Sequence, residues 1–174
     1  MPLSADDIKR AFAALSNELD GQSQRAEIVI VGGAAIVLLF GARDSTKDVD
    51  AIFVTPEASV LRNAAETVAH RLDLPSDWLN DGAKGYVVGL TTGEVLYESH
   101  ALIVHAATTV QLLAMKLAAW RDAVDRGDAR LLLAQMAGSA ETIWSALEPF
   151  VPPQKLGKAS YAFEDLWETL HGRE

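Results

Sequence analysis

Apolar positions along this chain change their period several times, and each change marks an element. Ile8, Phe12, Leu15 and Leu19 recur at helical spacing and would share one helix face. Ser4 is placed to cap that helix, with Asp7 in its first turn, and Gly21 closes it before a polar loop from Gln22 to Ala26. Glu27 to Val31 is short, β-branched and apolar, the pattern of a buried strand. Gly32 and Gly33 end it where a helix must begin. Ala34 to Phe40 then carries about two helical turns up to a stop at Gly41. Asp48 opens a second strand, continued by Val49, Asp50, Ala51, Ile52, Phe53 and Val54.

Further on, Pro56 suits the first turn of a helix whose apolar stripe is Val60, Leu61, Ala64, Ala65, Val68 and Leu72, with His70 on its surface. Leu74 to Gly85 is rich in turn formers and reads as a loop holding Trp78, Asn80, Asp81 and Lys84. Trp78 either anchors that loop to the core, or the loop lies at the rim of a site with Trp78 or Asn80 near a nucleotide base. Tyr86 to Leu90, Glu94 to Glu98 and Ala101 to Ala106 read as short strands, with Thr91-Thr92-Gly93 as a hairpin turn. Thr108 or Thr109 caps a long helix that buries Val110, Leu113, Ala114, Leu117 and Ala118. In that run Lys116 sits among apolar neighbours, where a lysine commonly packs its stem and extends its charge to water. Asp122, Asp125 and Asp128 follow, interleaved with Arg121, Arg126 and Arg130. Gly127 suggests a break, with Asp125 and Asp128 at the start of the next helix. Two amphipathic helices, around Ala140 to Leu147 and Tyr161 to Leu170, close the chain on either side of an extended Pro152-Pro153 connector.

A chain of 174 residues suits one domain, or a small α/β core with a helical tail. With 49% apolar and 22% charged residues it can fill a core, which argues against disorder. No apolar run is long enough to span a membrane, and MPLSADDIKRAF lacks the basic-then-apolar order of a signal peptide. The absence of cysteine excludes disulfides and thiolate metal sites and agrees with a cytoplasmic location. A formal charge of −9 argues against a long nucleic-acid duplex footprint, leaving room for a short RNA end or a protein side chain on a local basic patch.

The chemistry lies in the spacing of two acids. Side chains two apart on a strand share a face, so Asp48 and Asp50 aim two carboxylates at one place while Val49 turns into the core. Such a pair repels itself unless a cation sits between. Hard oxygen donors suit Mg²⁺, which keeps several waters and completes its shell with substrate phosphates. Gly32 and Gly33, at a helix start, offer bare backbone N–H groups to those phosphates.

Gly32-Gly33-Ala34-Ala35, Arg43, Thr46-Lys47-Asp48-Val49-Asp50, Asp77-Trp78-Leu79-Asn80-Asp81, Lys116 with Ala119 and Arg121, and Asp125-x-x-Asp128 occur in this order. Together they resemble the DNA-polymerase-β-like nucleotidyltransferases, and in particular a bacterial nucleotidyltransferase-like branch related to AbiEii-type toxins. The resemblance implies an α+β (α/β) fold: a small mixed sheet flanked by helices as the nucleotidyltransferase core over 1–107, and a helical C-terminal region over 108–174. It also implies a metal-dependent transfer of a nucleoside monophosphate from a nucleoside triphosphate to an RNA or protein hydroxyl. Asp48 and Asp50 would bind Mg²⁺; Gly32, Gly33, Arg43, Thr46 and Lys47 would meet the nucleotide. Lys116 would neutralise triphosphate charge, and Asp125 or Asp128 would orient Lys116 and Arg121 or act on the acceptor. The partners it implies are a nucleoside triphosphate, a tRNA or protein acceptor and an antitoxin; the apolar tail could pack on the core or form a homodimer. Enzymes of this kind carry a third carboxylate on a later strand. Glu98 is the first candidate for it and Glu94 the second, with His105 where an acid is expected.

The alternative is a catalytically inactive module that keeps the fold for binding or assembly. A dinucleotide-binding domain fails, because Gly-x-Gly-x-x-Gly is absent and an Asp-x-Asp strand fits ribose recognition poorly.

Overall fold

A computed structural model describes residues 1–172 of the chain. Its residues fall into two compact units. The first comprises Met1–Gly85 and Thr92–Ala107; the second comprises Tyr86–Thr91 and the chain from Thr108 onward. Tyr86–Thr91 thus goes with the helical unit.

The first unit is built around a five-stranded mixed sheet in the order β5-β4-β2-β7-β6. Its strands are β2 (Ala26–Val31), β4 (Val49–Thr55), β5 (Leu79–Asn80), β6 (Val95–Glu98) and β7 (Leu102–Ala106). At the centre, β2 runs antiparallel to β4 and parallel to β7. Ile28, Val29, Ile30 and Val31 are all buried, so the sheet is covered on both faces there. This explains why β2 reads as a continuous apolar run rather than an alternating one. A separate antiparallel ribbon joins β1 (Leu3–Ser4) to β3 (Ser45–Thr46). Neither of its strands has enough residues to show a period, and the sequence reading did not include them.

Three helices flank this sheet. The first, α1 (Ala5–Gly21), begins with a capping box: Ser4 Oγ accepts from the Asp7 N–H, and the Asp7 carboxylate accepts from the Ser4 N–H. Ile8, Phe12, Leu15 and Leu19 are its buried stripe. The second, α2 (Gly32–Phe40), starts at the glycine pair and ends on Gly41 in the left-handed conformation. The third, α3 (Ala58–Leu72), starts just after Pro56 and buries Leu61, Ala64, Ala65 and Val68.

In the second unit, α4 (Thr109–Ala119), α5 (Ala123–Leu133), α6 (Ala140–Leu147) and α7 (Leu156–His171) pack around Leu112, Leu113, Leu117, Leu132, Leu147, Phe163 and Leu166. Seven α-helices are thus present among the described residues. None of them is long and apolar enough to cross a membrane.

Several local expectations are corrected. Tyr86 to Leu90 forms no strand. Its Val88 and Gly89 carbonyls accept from Gln111 Nε2 (both 3.1 Å), and Thr91 donates through N–H and Oγ1 to Gln111 Oε1. A buried glutamine therefore does for this segment what a neighbouring strand would have done. The hairpin lies between β6 and β7 instead, and Thr91-Thr92-Gly93 is not its turn. Gly127 does not interrupt α5, which starts at Ala123 because Asp122 accepts from the N–H groups of Val124 and Asp125. The Pro152-Pro153 region coils into a short 3₁₀ turn, Pro153–Lys155, and α7 begins directly after it. Within the loop from Leu74 to Gly85, Leu79 and Asn80 form the edge strand β5, parallel to β4.

Candidate active site

The turn between β2 and α2 supplies the first wall. Val31 is extended and no side chain caps α2, so the helix opens with backbone N–H groups that no side chain caps. Gly32 sits at φ +67°, a region costly for a residue with a side chain. A Cβ there would also come within 3.2 Å of Asp50 Oδ2. At Gly33, a Cβ would collide with the Arg43 guanidinium and stand 2.8 Å from Thr46 Oγ1. Asp50, Arg43 and Thr46 therefore close around the glycine pair. Arg43 lies where a phosphate was expected to meet bare backbone, so a positive charge is already at the turn. Thr46 is held by the β1–β3 ribbon and donates to the Asp48 carbonyl at 3.2 Å, which fixes the approach to β4.

Asp48 immediately precedes β4, Val49 is fully buried, and Asp50 lies on the strand. Asp48 and Asp50 are both part-buried, Lys47 is exposed. The Asp48 carboxyl is pushed above its ordinary range, first by burial and then by the negative charge of Asp50; Lys47 opposes the shift and Asp77 adds to it. The two acids are thus close enough to repel, as their spacing predicts.

On the outer side of β4 runs β5, with Val49 paired to Leu79 and Asp50 paired to Asn80. Registered residues on parallel neighbours share a face, so Asn80 is next to Asp50. Its Oδ1 accepts from the Gly82 N–H at 3.0 Å, and its Nδ2 lies 3.4 Å from the Asp77 carbonyl. Trp78 is the anchor of this edge. It is fully buried, donates from Nε1 to the Ala65 carbonyl at 2.9 Å and packs against Phe12. Its own carbonyl accepts from the Val49 N–H at 2.6 Å. Of the two roles open to Trp78, core anchoring is the one its burial allows.

The acids considered for a third ligand are elsewhere. Glu98 lies on β6, across β2 and β7 from β4, and Glu94 just precedes it; both are exposed. His105, on β7, places Nε2 3.4 Å from Glu27 Oε1. What stands in register with Asp50 on the neighbouring strand is Asn80. Asp-Trp-Leu-Asn was visible in the sequence, but a two-residue strand leaves no period by which to align it.

In the second unit, Lys116, Asp125 and Asp128 form a cluster of their own. Lys116 Nζ lies 3.1 Å from Asp125 Oδ1 and 2.8 Å from Asp128 Oδ2. Arg121 donates to Asp125 Oδ2 from Nε at 3.0 Å and from its backbone N–H at 3.1 Å. All three clustered side chains are largely buried, at 12%, 3% and 5% exposure. Burial alone would raise the Asp125 carboxyl, but hydrogen bonds from Arg121 and Lys116 outweigh it and hold it at about 2.

Among the described residues no group of three or more acidic, histidine or cysteine side chains gathers to hold a metal. Asp48 and Asp50 nevertheless suit a divalent cation that draws its remaining ligands from water and phosphate. They offer hard oxygens, and their mutual repulsion is relieved by positive charge.

No curated protein matches the chain. A family model described as "Nucleotidyltransferase of unknown function (DUF6036)" matches residues 7–91, the stretch that holds the glycine turn, Asp48, Asp50 and Asn80. Over that stretch, just under half of the chain, the protein is similar to the nucleotidyltransferase-like proteins.

Proposed function

We propose that the first unit transfers a nucleoside monophosphate from a nucleoside triphosphate to an acceptor hydroxyl. The carrying observation is the closure of Asp50, Arg43 and Thr46 around Gly32 and Gly33, which sets carboxylate oxygens beside a cationic turn at a helix start. Phosphates at that turn would meet the α2 N–H groups and the Arg43 guanidinium, with Thr46 Oγ1 beside them. Lys47, exposed at the entrance to β4, adds attraction for an anion. Asp48 and Asp50 would hold the Mg²⁺ that, when bound, neutralises phosphate charge and polarises the α-phosphorus. The acceptor oxygen bonds to that phosphorus, the bond to the bridging oxygen breaks, pyrophosphate leaves, and the acceptor proton passes to water. Alignment by the turn and charge complementarity supply the acceleration.

Lys116 enters this reading as a group oriented by Asp125 and Asp128 within its own unit. A tRNA end or a protein hydroxyl is the proposed acceptor, in the cytoplasm, and an antitoxin is the proposed partner if the role follows that of the toxin-like branch.

A second reading, binding without turnover, is favoured by one observation: Asn80 rather than an acid stands in register with Asp50. Incubation with each nucleoside triphosphate labelled at the α-phosphorus, together with cell RNA and protein, separates the two. Labelled RNA or protein supports transfer. Mg²⁺-dependent stabilisation by the nucleotide with no labelled product supports the binding module.

A further inference from the structure

The site has two carboxylates where a cation held by protein alone would want more. Asp48 and Asp50 bring two negative charges, and Arg43 and Lys47 stand against them with two positive ones. Asp77 adds a charge, but it is exposed and therefore screened. Beside Asp50, in register on β5, comes an uncharged amide. The oxygen of that amide is engaged by the Gly82 N–H. A bare dication approaching this place meets little net charge. A dication already carried on a triphosphate offers both halves of the complement: its phosphates face Arg43 and the α2 N–H groups while the cation faces the two aspartates.

We infer that this site takes its divalent cation together with the nucleoside triphosphate and not ahead of it, and that Asn80 sets this order by placing an amide beside Asp50. The inference rests on the nucleotidyl-transfer reading and deepens it. Asn80 is here a positioning residue that decides what the site accepts, so its test is binding and not turnover.

Asn80→Asp keeps the acceptor for the Gly82 N–H at 3.0 Å and adds a charge, giving up only the long Nδ2 contact to the Asp77 carbonyl at 3.4 Å. Asn80→Ala removes the acceptor and adds no charge. Thermal midpoints of the full chain are measured with MnCl₂ alone, with a mixture of the four nucleoside triphosphates in chelator, and with both together. Wild type is expected to gain stability only from the pair. Asn80→Asp is expected to respond to MnCl₂ alone, with a dissociation constant about tenfold or more below that of wild type. Asn80→Ala should show no such gain. Wild type responding to MnCl₂ alone as strongly as Asn80→Asp overturns the inference. So does a wild type that responds to the pair while Asn80→Asp gains nothing from MnCl₂, a result that leaves nucleotide binding intact. A gain in Asn80→Ala equal to that in Asn80→Asp would trace the effect to a loosened turn and overturn it too. If neither wild type nor Asn80→Asp responds to any mixture, the nucleotidyl-transfer reading falls with it.

Discussion

Asp50 Oδ2 lies over Gly32, 3.2 Å from where a Cβ would stand. The contact ties the acid strand β4 to the turn at the start of α2, and it gives the glycine two separate reasons to be there. One is the positive φ of +67°, the other the closeness of the carboxylate. The next residue, Gly33, has only the second kind of reason, against Arg43 and Thr46.

This difference separates two variants. Gly33→Ala should fold with a loss of about 1–2 kcal/mol as Arg43 is displaced. It should lose most of the stabilisation by Mg²⁺ and nucleoside triphosphate, because the displaced guanidinium and the new methyl both disturb the turn. Gly32→Ala carries backbone strain of roughly 1–2 kcal/mol as well and should be the less stable of the two. Thermal midpoints with and without nucleotide check both.

Asp48→Asn removes a charge that the fold holds at a cost. Burial and the Asp50 charge push its carboxyl upward, so ionised Asp48 costs the fold stability relative to the unfolded chain. The variant should be at least as stable as wild type at neutral pH, and that advantage should shrink as the pH falls and Asp48 becomes protonated. Urea midpoints across that range measure it. A destabilised variant would mean that the Asp48 charge is used structurally.

For Asp125 the sign is opposite. Its carboxyl is held at about 2, below the ordinary value of 3.8, so its ionised form stabilises the fold. The contribution is present in full above about pH 4 and disappears as the pH falls toward about 2. Asp125→Asn should therefore be less stable than wild type at neutral pH, and the gap in thermal midpoint should close over that acid window.

Lys116→Met leaves Asp125 and Asp128 largely buried with their shared cation gone, a loss of about 3 kcal/mol or more. Adding Asp125→Asn to it should cost less than the sum of the two separate losses, since the pair acts as one network. Chemical denaturation of the three variants tests this directly.

Gly127→Ala should stabilise the protein by up to about 1 kcal/mol. The position is exposed within α5, and nothing lies within 4 Å of the added methyl. A loss would show that α5 needs the glycine after all.

How far the residues announced this structure depends on how many of them each element used. α1 was legible because Ser4, Asp7 and a four-residue apolar stripe agree on one answer. The β2-turn-α2-β4 core was legible because a buried apolar run, two glycines, an apolar helical run and an alternating acid pair each carry their own signal. Tyr86–Leu90 misled, since its apolar residues satisfy a strand pattern while its carbonyls are taken by a side chain distant in sequence, Gln111. Gly127 misled because a cap at Asp122 and packing of Ala129, Leu132 and Leu133 outweigh one poor helix former. β5 was invisible at two residues, and with it the neighbour of Asp50. The acids at the site could be read from their spacing; what stands beside them could be seen only in the sheet order.

The most direct measurement is transfer of label from a nucleoside triphosphate carrying it at the α-phosphorus, run with wild type, Asp48→Asn and Asp50→Asn side by side. The account predicts labelled acceptor with wild type and a loss on the order of a hundredfold or more in each variant, with all three proteins folded. Equal labelling by all three would contradict it, because the two carboxylates would then have no part in the reaction.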